Sequence, residues 1–136
     1  MNLREEAGQI TLWVLGLAVA LLGLGGISVD LWRVMGERSE LAVIADSAAV
    51  AGANGIDVDW YRATGEVRLV ESLAQDLALS ILSQEDVVVV GLTVQNDQIV
   101  VEIRREVLFS LLNILTAGQD PSVTIDVVGR ATAALS

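Results

Sequence analysis

Apolar and polar positions change their spacing three times along this chain of 136 residues. From Ile10 to Val29 there are twenty consecutive residues without a charge, ITLWVLGLAVALLGLGGISV. As a helix such a run spans about 30 Å, the thickness of a bilayer's hydrocarbon core. Trp13 and Trp32 lie near its two ends, where indole rings favour the headgroup zone. A core helix of a small soluble domain rarely stays apolar all round, and the apolar part of a cleaved leader is normally shorter, roughly 7–15 residues. The run is therefore expected to be a transmembrane helix.

Beyond Asp30 the spacing becomes that of a half-buried helix. Leu31, Val34, Met35, Leu41, Ile44, Ala45, Ala48 and Ala49 recur at helical intervals, without proline and with Gly36 as the one glycine before Gly52. One helix is expected from about Gln9 to Ala53, stopped by Gly52, Asn54 and Gly55. A connector follows over 54–65. A second helix is expected over 70–83, with Val70, Leu73, Leu77 and Ile81 as its apolar stripe. From Val87 the period drops to two. Val88, Val90, Leu92 and Val94 should share one strand face, Asn96-Asp97 should turn, and Ile99, Val101 and Ile103 should face inward opposite Glu102, Arg104 and Glu106. A short apolar stretch over 108–115 is read as a helical turn or two, broken by Gln119-Asp120-Pro121. A third strand begins at Val123, Ile125 and Val127 and continues through Gly129 towards the end. The expected fold is α+β: a long N-terminal helix, then a second helix packed on a small three-stranded antiparallel sheet. The expected divisions are a tail at 1–9, the membrane helix at 10–29, its Ala-rich continuation at 30–53 and a small domain at 54–136.

Charge sharpens this picture. The chain carries eight arginines, no lysine, no histidine, no cysteine, and 18 acidic residues, for a net charge of −10. Residues 1–29 contribute −1 and residues 30–136 contribute −9, so the acidity belongs to the part outside the span. An acidic surface with scattered arginines does not suit phosphate backbones, so no nucleic-acid partner is expected. No histidine or cysteine means no Cys–His or Ser-His-Asp machinery. The carboxylate pairs Asp57/Asp59 and Glu85/Asp86 lack any companion nucleophile or metal set. No enzyme activity, cofactor, metal or small-molecule substrate is expected.

What remains is packing and pairing. Gly16, Ala20 and Gly23 lie on one face of the span, and small residues there let a second helix approach closely. Ala45, Ala49 and Gly52 extend a thin seam in the second half of the helix. Asp30, at the membrane exit, could pair with Arg33 three residues on. Asp46, beside the alanine seam, is expected to be partly desolvated and to need Arg62 or Arg68 as a partner.

Five elements in order carry a family resemblance: Gly8-Gln9, the apolar span, Gly26-Ile27-Ser28-Val29-Asp30, Arg38-Ser39-Glu40-Leu41 and Ala45-Asp46-Ser47-Ala48-Ala49-Val50-Ala51-Gly52-Ala53. Together they resemble the N-terminal signature of TadE/TadG-like proteins of the tight-adherence (Flp) pilus-assembly system, over about residues 4–53. The resemblance implies a pilin-like, single-pass protein of the bacterial cytoplasmic membrane, with its C-terminal domain outside. It implies a structural or assembly role in a type IVb-like pilus, with other pilus-assembly subunits as partners. A membrane-tethered accessory or sensor domain unrelated to pili is the alternative. Positive-inside counting does not fix the orientation, since one Arg precedes the span and two follow soon after. A processed prepilin has Gly before the cut and Glu as the fifth residue after it. With Gly8 and Gln9 as the cut, the fifth residue here is Trp13, so the resemblance is closer to the uncleaved TadG-like branch.

Overall fold

The computed structural model describes residues 3–109 and 121–134, with side chains from Gln9 onward. The elements are α1 (Leu3–Ala53), α2 (Val58–Thr64), α3 (Glu71–Leu82), β1 (Val88–Gln95), β2 (Gln98–Leu108) and β3 (Ser122–Thr132). The strands form one sheet in the order β1-β2-β3. The fold class is α+β, as the sequence predicts. The residues divide into two compact units, Met1–Met35 with Leu108–Pro121, and Gly36–Val107 with Ser122–Ser136.

In the first unit α1 is apolar and bare. Leu12, Trp13, Leu15, Leu17, Leu21, Leu22 and Leu24 are all exposed. A soluble protein would not leave such a surface in water; as a helix long and apolar enough to cross a membrane, it suits a hydrocarbon solvent. The backbones at Phe109 and Pro121 close on each other, the Phe109 N–H donating to the Pro121 carbonyl at 2.9 Å. The apolar stretch expected over 108–115 lies mostly outside the described residues.

In the second unit α1 changes character. Leu41, Ile44, Ala45, Ala48, Ala49 and Ala53 are buried, which is one continuous face at helical spacing. The sheet supplies the opposite wall: Ile99, Val101, Ile103 and Val107 from β2, and Ile125 from β3. The outward residues Glu102, Arg104, Asp126 and Arg130 alternate with them and are exposed. The two layers approach through missing side chains. A Cβ on Gly129 of β3 would overlap the Ala45 carbonyl group of α1, and one on Gly52 would overlap Ile99 Cδ1 and lie 2.9 Å from the Ala74 carbonyl oxygen.

Three expectations are corrected. The connector contains a helix, α2, because Asp57 caps it, accepting from the Trp60 N–H at 3.0 Å, and Gly65 closes it at φ 76. The buried stripe of α3 is Ala74, Ala78 and Leu82, with Leu73 exposed, because Gly52 and Gly55 admit alanine and leave no depth for leucine. The helix ends at Ala53, as expected. Gly55 serves close approach, since a Cβ there would lie 2.8 Å from the Ala74 nitrogen; among the described residues the positive φ angles belong to Gly65 and Asn96. In β1 the pairing shifts between Val89 and Gly91, so Val90 is an extra residue. This bulge puts Val89, not Val88, in the inward row with Leu92 and Val94. The turn itself is as expected, with Asn96 at φ 51 between Gln95 and Gln98.

The glycine contacts predict an asymmetry. Gly129→Ala should lower the stability of the second unit by about 1–3 kcal/mol, as overpacking does. Gly36→Ala, with open space around it on the helix, should gain about 0.5–1 kcal/mol. Denaturant titration followed by circular dichroism in detergent reads both.

Candidate functional site

The residues singled out by sequence fall into three places. Gly16, Ala20 and Gly23 lie on α1 in the first unit. Gly16 and Gly23 have open space where a side chain would be. Gly16 and Ala20 line an open groove with Leu12, Trp13 and Leu17. Ala45, Ala49 and Gly52, by contrast, are covered within the second unit by the sheet and α3. The seam is thus filled inside the head and bare along the span. Gly8 and Gln9 lie within α1, and of Gly8's surroundings nothing further is described.

The charged residues separate in the same way. Asp30 is 3% exposed, while its neighbours Val29, Leu31 and Trp32 are 59%, 55% and 81% exposed. Asp30 and Arg33 are both engaged in interactions. Asp46 does not fit the expectation of a desolvated, paired group. It is exposed, on the outer face of α1 with Val43, Ser47 and Val50. Arg62 reaches Asp59 at 3.7 Å, a solvent-exposed pair, and Arg68 reaches Asp57 at 2.7 Å. The reason is geometric: the face of α1 that carries Asp46 is turned a quarter-turn from the Ala45/Ala49 face that the sheet covers.

Two constellations hold the head together and escaped the sequence reading. The first is Arg105, the inward charge at the end of β2's apolar row. Its Nη1 donates to Glu37 Oε2 and Glu40 Oε1, each at 3.1 Å, and its Nε donates to the Asp86 carbonyl at 2.9 Å. One guanidinium therefore ties α1, β2 and the α3–β1 connection. Its side chain is 16% exposed. Burial works against its charge, but the hydrogen bonds and field of Glu40 and Glu37 together raise its pKa. The signal was an Arg breaking the apolar alternation, with Glu37 and Glu40 one turn apart on the helix.

The second is Asp57. It caps α2 and accepts from Arg68, whose guanidinium also stacks 4.1 Å from the Trp60 ring centroid. The Arg68 hydrogen bond, then that of the Trp60 N–H, hold the Asp57 carboxyl below its usual range. On the outer sheet face Arg104 does the same for Asp126, donating from Nε at 2.6 Å. Asp57 is therefore occupied structurally. No group of three or more His, Cys, Asp or Glu able to hold a metal occurs among the described residues.

The described residues thus present one bare apolar helix and a helix–sheet head held by close packing and ion pairs. Residues 8–55 match the family model Tad, Flp pilus-assembly TadE/G-like, the same family that the sequence resembles and the same stretch that carries the five elements. The match runs from the start of the span to the end of α1. No curated protein and no solved structure matches the chain.

Two outcomes follow for the head. Arg105→Ala should cost about 1–2 kcal/mol, since two neighbouring carboxylates lose their common partner in a half-buried setting. Asp46→Ala should stay within about 0.5 kcal/mol of the parent, as for other exposed positions. Acid should also weaken the head. Asp57 and Asp126 have depressed folded pKa values, so their contribution is full above the unfolded carboxylate pKa of about 4 and is lost as pH falls through the lower folded values. Thermal melts between neutral pH and pH 2 should show that loss, and the double variant Asp57→Asn, Asp126→Asn should flatten it.

Proposed function

We propose that this chain is a single-pass membrane, pilin-like structural or assembly subunit of a tight-adherence (type IVb-like) pilus. It is non-catalytic and acts through packing of its helix and head. The observation that carries this reading is the coincidence of the family match over residues 8–55 with one helix that is bare along its span and covered along its second half. The bare half offers Gly16, Ala20 and Gly23 to helices of other assembly subunits in the bilayer. The covered half fixes the head to that helix.

In this reading the N-terminus is cytoplasmic and the head lies outside the cytoplasmic membrane, with divisions at 1–9, 10–29, 30–53 and 54–136. The absence of a carboxylate between Gln9 and Val29 favours an uncleaved chain. A mature protein that begins at Gln9 in N-terminal sequencing would move it to the processed, filament-forming side. A tethered accessory domain unrelated to pili predicts instead no secretion ATPase or platform protein among its neighbours in the genome.

The test is genetic and structural together. Deleting the gene should abolish or sharply reduce Flp piliation and surface adhesion, and the parent gene should restore both. Gly16→Leu with Ala20→Leu should restore neither while leaving the protein level intact. Normal piliation in the deletion strain would overturn the reading.

A further inference from the structure

The head has one end that the anchor does not explain. Within the second unit, β2 runs opposite to α1. Its beginning lies at the far end of the helix, where the space over Gly52 is filled by Ile99, and its later part lies at Glu37 and Glu40, where Arg105 binds. The strand therefore heads for the end of this helical stretch that continues into the apolar span. There, where an ordinary surface hairpin would place polar turn residues, the sequence places Val107-Leu108-Phe109. Leu108 is 59% exposed. No charge occurs between Glu106 and Asp120, and Leu111, Leu112, Ile114 and Leu115 continue the apolar composition. Compactness divides the chain at the same point: Leu108–Pro121 falls with Met1–Met35, which contains the whole span, and not with the strands on either side of it.

We propose that the β2–β3 end of the head is a second lipid contact, with Leu108 and Phe109 resting in the interfacial layer of the bilayer that α1 crosses. The partner is the lipid surface itself. The chemistry of the two sides agrees. The head carries most of the net −10 charge and is repelled by anionic headgroups, so electrostatics cannot hold it down. Apolar side chains entering the interface can, and Val107, Leu108 and Phe109 carry no charge to oppose it. Arg105, three residues before Leu108, is turned inward onto Glu37 and Glu40, so the last cation of β2 is taken up by the protein.

This proposal rests on α1 crossing the bilayer, and the test separates the two. The chain has no cysteine, so single-cysteine variants report cleanly. Leu108→Cys, Trp32→Cys at the end of the span and Gln95→Cys at the opposite end of the sheet are each labelled with an environment-sensitive nitrobenzoxadiazole probe. The full chain is reconstituted into phosphatidylcholine vesicles with or without nitroxide-bearing lipid. The proposal expects the Leu108 probe to be blue-shifted and to lose emission to the lipid nitroxide as the Trp32 probe does. The Gln95 probe should lose it only to aqueous iodide. If the Trp32 probe alone is quenched by lipid, the second contact is refuted and the anchor stands. If the Leu108 probe is shielded from both quenchers, protein covers that end and the proposal is again refuted. If the Trp32 probe too is quenched only by iodide, the anchor reading fails and this proposal with it.

Discussion

Two absent side chains allow the head to exist. Gly129 lets β3 lie against the backbone of α1 at Ala45, and Gly52 lets Ile99 and α3 reach the same helix. Dispersion and burial both favour this approach, because alanines and glycines remove the bulk that would hold the layers apart. Such a small domain can bury only a modest core. It uses the second half of α1 as one wall of that core. The largest wholly buried side chains, Leu41, Ile99, Val101 and Ile103, all lie at that contact.

Charge then closes what packing brings together. Arg105 sits at the rim of the apolar row and satisfies two glutamates of α1 and one carbonyl of the α3–β1 connection. Because it is half-sheltered and multiply bonded, it fixes the register of strand against helix better than exposed pairs such as Arg62–Asp59 can. The Asp57–Arg68–Trp60 cluster does a local version of the same work, holding α2 against the segment that leads into α3. The charged groups of the described residues are thus engaged in holding the head's geometry.

How much of this the sequence carried depends on whether a feature is local. The long helix, the strands and the Asn96 turn were legible because periodicity and turn chemistry are written in neighbouring residues. The α2 cap is equally local: Asp57 stands three residues before Trp60, with Asp59 in the first turn. The buried stripe of α3 lies one position from the leucine pattern because leucine outranks alanine in hydrophobicity, whereas the glycines facing it favour the smaller residue. The bulge at Val90 leaves no trace in a run of four valines. The exposure of Asp46 is not legible locally, because a carboxylate among alanines looks buried until the direction of the neighbouring sheet is known. Arg105 required knowing that β2 ends beside Glu37 and Glu40, a contact across more than sixty residues of chain.

The central claim is that the second half of α1 is part of the head's core rather than a stalk beneath it. Native-state hydrogen exchange of the full chain in detergent tests this most directly, since amides of one cooperative unit open with one free energy. The account predicts that Leu41, Ala45, Ala49 and Gly52 lose protection together with Ile99, Val101, Ile103 and Ile125 as denaturant is raised. Helix amides that keep their protection after the sheet has exchanged would contradict it, and would make the head a separate domain on an independent helix.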